Sequence, residues 1–173
     1  MNMSLIQKSV SEALQGLGFV KSRNYWRASN NETIQIVHVE KSKLVSRLNI
    51  DLGLSIISLN QNTEVKIKDC PISHRIDMLV RDAQSNNILS SACPVLPLVN
   101  KTLDYELVNS AMYLDTNVSD LDRCTIIEKA ISHFGLQFLL DFSTHDSIKR
   151  TILANKYKEA VIWGNVIDYI KNS

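Results

Sequence analysis

Glycine is scarce in this chain: five in 173 residues, none of them in a G-x-x-x-x-G-K-[ST], G-x-G-x-x-G or G-x-S-x-G arrangement. A loop that cradles phosphate, or a turn that lifts a serine nucleophile, needs glycine at such fixed offsets. Neither chemistry is supported. Cysteine is equally sparse. Cys70, Cys93 and Cys124 are far apart and odd in number, with no C-x-x-C or cysteine–histidine spacing. A complete disulfide framework and a thiolate zinc site are therefore not expected. Long apolar runs are missing too, so no membrane-spanning segment is predicted. The opening M-N-M-S-L-I-Q-K-S-V reaches polar residues too early for a signal peptide. A net charge of +1 gives neither a basic field for nucleic acid or anionic lipid nor an acidic one that would imitate nucleic acid. What remains is a chain 45% hydrophobic and 21% charged, the profile of a folded domain with a real core in a reducing cytoplasm.

The most regular stretch is R-L-N-I-D-L-G-L-S-I-I, residues 47–57. Leu48, Ile50, Leu52, Leu54 and Ile56 occupy one phase of a two-residue period; Asn49, Asp51, Gly53 and Ser55 occupy the other. Such alternation specifies a strand with one sealed face and one polar face. Around it the chain divides into a sheet region, mainly 19–82, and a helical region, 119–171. Ile6, Val10, Ala13 and Leu17 predict an amphipathic helix from Ser4 to Leu17, closed by Gly18. Two short extended pieces follow around Ser22 to Asn24, then a turn at Ser29 to Asn31 and a β-branched strand from Thr33 to Lys41. E-V-K-I-K, with Val65 and Ile67 in phase, predicts a third long strand beside 47–57. I-D-M-L-V fits a short helix or an extended piece, and C-P-V-L-P-L-V an extended edge or covering loop. Tyr105 to Leu114 is predicted as a strand. Ser119 begins the helical region as an N-cap, Phe134, Phe138 and Leu139 carry the apolar face past Gly135, and Ser143 or Thr144 caps a further helix. A last helix is expected through Val161, Trp163 and Ile167. The expected fold is a single α+β domain over 1–173: an antiparallel β-meander with an N-terminal helix and a C-terminal helical segment packed on it.

For function, two constellations compete. Asp51 with Glu64-Val65-Lys66 has the form D…E-x-K, in which two carboxylates hold a divalent metal and a lysine orients the attacking water. This is the alternative reading, a metal-dependent nuclease or other hydrolase. The spacing rule is loose, and Glu64 and Lys66 are more simply a solvated face. The second is the polar phase of the main strand: Arg47, Asn49 and Asp51, with Lys66 and Lys68 on the neighbouring strand, a set suited either to charge-assisted bonds with a protein partner or to satisfying one another beneath the C-terminal helices. The four histidines, His38, His74, His133 and His145, show no metal-ligand spacing. His38 reads as a hydrogen-bonded sheet residue, Asp141 and His145 are separated by a helix boundary, and Cys70 beside His74 reads as an ordinary thiol near a turn. No catalytic residue, metal ligand or cofactor is assigned.

The order of short segments carries a resemblance. L-G-F-V-K, Y-W-R, I-Q-I-V, E-K-S, N-I-D-L-G and C-P-I-S-H-R follow one another much as in an uncharacterised bacterial family, number 4304 among the domains of unknown function. The matching positions are Leu17, Gly18, Phe19 and Lys21; Tyr25 and Trp26; Ile34, Gln35 and Val37; Lys41 and Ser42; Asn49, Leu52 and Gly53; and Cys70, Ile72 and Arg75. Glu40 stands where that family tends to have glutamine, Pro71 where it has histidine, and its later tryptophan segment is missing between Asp82 and Asn100. The likeness covers roughly the first 80 residues, with a looser echo in F-L-L-D-F-S and the closing helices. It implies an α+β domain. Because members of similar families neutralise polymorphic toxins, it implies a non-catalytic, protein-binding immunity role, with a toxin or another protein as partner and neither membrane nor nucleic acid expected.

Overall fold

In the computed structural model, residues 2–60, 64–85, 95–96 and 101–172 are described. Helix α1 spans Met3–Ala13, with the Asn2 side chain accepting from the Ser4 amide as N-cap. Its apolar stripe buries Ile6 and Val10, with Leu14 just beyond. It stops short of the predicted Leu17, because Gly16 and Gly18 both take left-handed backbone (φ 76° and 78°) and turn the chain. Strands β1 (Val20–Ser22) and β2 (Tyr25–Ser29) form a tight hairpin through Arg23 and Asn24, with Arg23 itself left-handed at φ 57°. Trp26 on β2 is buried and donates its Nε1–H to Ser11 Oγ at 3.0 Å, pinning α1 to the sheet.

Strand β3 (Thr33–Lys41) matches its predicted bounds, and β4 (Leu48–Ile56) is the strand expected at 47–57. They pair antiparallel over nine residues, from Thr33 opposite Ile56 to Lys41 opposite Leu48. The two-residue period does what the pattern dictates. Leu48, Ile50, Leu52, Leu54 and Ile56 are buried with Val37 and Val39 in the main core, against the helices. Asn49, Asp51 and Gly53, opposite Glu40, His38 and Ile36, face the other way.

The neighbour of β4 on its far side is β5 (Ile72–Arg75), not residues 64–68. The predicted strand there is absent. Residues 64–71 instead cross the outer face of the sheet as a roof, containing one turn of 3-10 helix at Ile67–Asp69. Val65 and Cys70 bury themselves on Ile36 in a small second core, with Tyr25, Ile34 and Ile67 against it. The Val65 carbonyl accepts from Arg27 (3.3 Å to both Nε and Nη2), and Lys66 bonds Asp69 within the turn, so these groups are not in a ladder. Alternating apolar residues fit a roof as well as a strand.

The roof lies hard against Gly53. A Cβ added there would stand 2.6 Å from Ile67 Cδ1 and 2.7 Å from Cys70 Sγ. Gly53→Ala should therefore cost about 1–3 kcal/mol, the usual penalty for overpacking. A lowered urea midpoint at unchanged m-value would confirm it, and wild-type stability would show that the roof yields freely.

Helix α2 (Ile76–Ser85) follows β5 directly, so I-D-M-L-V is helical. Strands β6 (Val95–Leu96) and β7 (Lys101–Thr102) form a separate two-stranded pair; the rest of the C-P-V-L-P-L-V reading lies outside the described residues. Residues Tyr105–Met112 form helix α3, not the predicted strand. Asp104 caps the Leu107 amide at 2.8 Å, and the buried positions Leu107, Val108, Ala111 and Met112 make a helical stripe. Ser119 caps α4 (Asp120–Ala130) through the Asp122 amide, as expected. A π-helical turn, Ile131–Gly135, joins α4 to α5 (Leu136–Asp141), with Gly135 packed near Ile76. Thr144 caps α6 (His145–Leu153) reciprocally with Ser147, which places the expected boundary between Asp141 and His145. Val161 and Ile162 are not helical; they form β8, paired with β5, and the last helix, α7, is Gly164–Asn172.

The fold is α+β. The main sheet has the order β1-β2-β3-β4-β5-β8, antiparallel throughout, with helices from both ends of the chain on its inner face. Among the described residues no helix is long and apolar enough to cross a membrane.

Candidate functional site on the outer face of the sheet

The antiparallel register decides what meets on the outer face. His38 lies directly opposite Asp51, Glu40 opposite Asn49, and Tyr25 of β2 opposite His38. His38 is buried, 4% exposed, and its ring stacks on Tyr25 at 4.2 Å and 23°. Arg27 sits over the Tyr25 ring, 4.7 Å from its centroid. Burial raises the Tyr25 pKa, with Arg27 opposing and Glu40 and Asp51 adding to it. Asn24, in the hairpin turn, bridges His38 Nε2 at 2.8 Å and the Val39 carbonyl at 3.1 Å. On the other side of the ring, Nδ1 faces Asp51 Oδ2 at 3.8 Å.

Of the residues expected to form one polar surface, Asn49 and Asp51 are half-buried on this face, while Lys66 and Lys68 are exposed on the roof above it. Two hollows flank the roof. One, of about 650 Å³, is lined by Arg23, Asn24, Tyr25, Arg27, Glu64 and Lys66, among others. The second, of about 360 Å³, includes Asp51, Ser73 and Arg75. Asp51 thus opens on a different hollow from Glu64 and Lys66, and the strand on which the D…E-x-K reading placed the latter two is not formed.

Arg47 does not join the surface. It precedes β4, is 9% exposed, and is turned into the protein, where Nη2 donates to Asp77 Oδ2 at 2.7 Å and Nη1 to Tyr113 Oη at 3.3 Å. Its guanidinium lies over the Tyr113 ring at 4.9 Å. Alternation put Arg47 in phase with Asn49 and Asp51, but the phase has no meaning before the strand begins.

Other ionisable groups serve the core. His74, on the inner face of β5, shares a 3.0 Å hydrogen bond with Asp82, whose Oδ2 also accepts from the Glu159 amide at 3.1 Å. Burial pushes the His74 pKa below its ordinary 6.5, and Asp82 offsets only part of that effect. Between the lowered value and 6.5 the unfolded chain binds more protons than the folded one. This contribution to stability is therefore whole above 6.5 and lost as the pH falls through that window. In urea titrations between pH 7.5 and 5, His74→Gln should flatten the dependence; an unchanged slope would show that another group carries it. Asp141 accepts from Tyr157 Oη at 2.5 Å and pairs with Lys156, and burial drives the Tyr157 pKa far upward.

The residue set that the sequence did not bring together is His38, Glu40 and Asp51, whose ligand-type atoms all lie within 4.8 Å of one another. The signal was present as two acids and a histidine in one phase of two adjacent strands. Only the register, which a sequence does not state, makes them neighbours.

The order of segments from α1 to β5, now seen as one sheet, is that of a known family. A family described as Domain of unknown function (DUF4304) matches residues 10–141. The chain belongs to the DUF4304 family. The match runs well past Asp82, through α3 and α4 to the end of α5, and takes in every outer-face residue named above. Helices α6 and α7 and strand β8 follow the DUF4304 region. No curated protein and no solved structure matches the chain.

Proposed function

We propose that this DUF4304 chain is a non-catalytic protein-binding domain that engages its partner through the outer face of the sheet, and that the partner is a bacterial toxin neutralised in the cytoplasm. The observation that carries the reading is a strip of mixed charge on rigid strands. Arg27, Glu40, Asn49 and Asp51 are held by the β2–β3–β4 register, with Lys66 and Lys68 above them on the roof. Opposite charges set close together on a stiff surface select a partner by complementarity and speed its encounter. The buried pairs Arg47–Asp77 and His74–Asp82 and the half-buried pair Asp141–Lys156 tie elements of the fold together instead. The toxin assignment rests on the family likeness.

The test is co-expression with the product of a toxin-like neighbouring gene. The wild-type chain should restore growth and co-purify with it. Asn49→Arg and Lys68→Glu should weaken binding about tenfold, near 1.4 kcal/mol, at an unchanged unfolding midpoint. Rescue untouched by both changes would overturn the surface. Measurable phosphodiester cleavage that Asp51→Ala abolishes would overturn the non-catalytic reading in favour of the hydrolase using Asp51, Glu64 and Lys66.

A further inference from the structure

We infer that His38, Glu40 and Asp51 form a binding site for a first-row divalent cation of the Zn²⁺ type, with Asn24 as the residue that sets its strength. The inference is independent of the protein-binding reading and is tested without any partner.

The geometry comes first. His38 and Glu40 are two apart on β3 and share its outer face, and Asp51 is the direct cross-strand partner of His38. Their ligand-type atoms lie within 4.8 Å of one another, and His38 Nδ1 stands 3.8 Å from Asp51 Oδ2. Zinc holds nitrogen and oxygen ligands at about 2.0–2.2 Å, so two ligands on one ion are on the order of 3.5 Å apart. Little movement is needed, and Glu40, exposed on a flexible stem, can supply it.

A second observation points to a ligand. His38 Nδ1 is buried and has no hydrogen-bond partner, although the side chain is only 5% exposed. Leaving a buried polar atom unpaired costs about 1–3 kcal/mol. The ring cannot easily turn to find a partner, because Tyr25 stacks on it and Asn24 holds its other nitrogen. The orphaned atom faces the Asp51 carboxylate, and Glu40 lies in the same cluster. An imidazole with two carboxylates matches a transition-type ion better than Mg²⁺, which prefers oxygen ligands alone.

Asn24 opposes the cation in the metal-free state. Its Nδ2 donates to the Val39 carbonyl and also faces His38 Nε2, so Nε2 acts as acceptor and the ring proton sits on Nδ1. For a cation to bind, that proton leaves Nδ1 and Nε2 takes one up, so the ring stays neutral. The Asn24 amide then turns its oxygen to accept from Nε2–H and gives up the bond to Val39. A carboxylate at position 24 would favour the metal-ready tautomer from the start, as partners of metal-bound histidines commonly do.

Zinc and magnesium are titrated separately into the full-length protein by calorimetry, with folding of each variant checked by its metal-free unfolding midpoint. The expected result is one Zn²⁺ per chain and no comparable uptake of Mg²⁺. His38→Gln should abolish binding, Asp51→Asn and Glu40→Gln should each weaken it tenfold or more, and His133→Gln should leave it unchanged. Asn24→Asp should tighten binding about 10–100-fold, and ¹⁵N spectra should show the His38 proton moving from Nδ1 to Nε2 on zinc addition. Absence of saturable zinc binding overturns the inference. So does binding that survives His38→Gln, that Asp51→Asn leaves unweakened, or that depends on His133. If Asn24→Asp weakens binding in a folded protein, the role given to Asn24 is wrong.

Discussion

Replacing Asp77 with alanine is expected to destabilise the protein by about 3–5 kcal/mol, the cost of stranding a buried charge. Asp77 lies in the first turn of α2 with its side chain 3% exposed, and one oxygen, Oδ2, accepts from Arg47 at 2.7 Å and from Arg75 at 3.0 Å. Burial alone would lower the Arg47 pKa, but Asp77 and Tyr113 outweigh it and the pKa is raised. Without the carboxylate the guanidinium remains charged, with Tyr113 as its one remaining side-chain hydrogen-bond partner among the described residues. The helix also loses an acidic group at its N-terminal turn, a smaller effect of about 0.3–1 kcal/mol. Arg47→Met should cost less than Asp77→Ala, because Arg75 still satisfies the carboxylate. The double variant should recover part of the single loss, and that non-additivity is the signature of a coupled pair. A loss under about 1 kcal/mol for Asp77→Ala would mean the pair behaves like an exposed one.

Phe138→Ala should cost a similar amount, about 3–5 kcal/mol, through lost burial and the cavity left behind. Phe138 is fully buried on α5 and meets Phe142 at 5.0 Å, Tyr157 at 5.1 Å and His74 at 5.7 Å, all at steep interplanar angles. Its neighbours have little freedom to close the space. Tyr157 is tethered by its hydroxyl to Asp141, and His74 by its ring to Asp82. The loss should therefore fall in the upper part of that range. If water enters the cavity, the depressed His74 pKa should move back toward 6.5, which an NMR titration would detect. A loss near 1 kcal/mol would show that the aromatic cluster collapses after all.

How far the sequence could be read depended on whether a pattern had one structural meaning. Five alternating apolar positions in β4 had one, and β3 and β4 came out within a residue of their predicted bounds. Val65 and Ile67 had two, since alternate apolar residues can line a strand or press a roof onto a sheet. Residues 105–112 are helical where the pattern predicts a strand, because Leu107, Val108, Ala111 and Met112 form a helical stripe too short to declare itself without the Asp104 cap. Phase places Arg47 on the surface, whereas Asp77, thirty residues away, turns it into the protein. His38 is the hydrogen-bonded sheet residue its strand context predicts, but its meeting with Glu40 and Asp51 is a property of pairing between strands. Local periodicity carries facing; it does not carry register.

Register is also what the binding strip and the cation site share, and it can be measured by cross-linking. Glu40 and Asn49 are direct partners across β3 and β4, just as His38 and Asp51 are. With Cys93 and Cys124 replaced by serine, the double variant Glu40→Cys, Asn49→Cys should oxidise readily to a single disulfide without loss of stability. The one-residue-shifted pairs Glu40→Cys with Leu48→Cys, or with Ile50→Cys, should not. Preferential closure of either shifted pair would place His38 away from Asp51 and contradict the arrangement of the whole outer face.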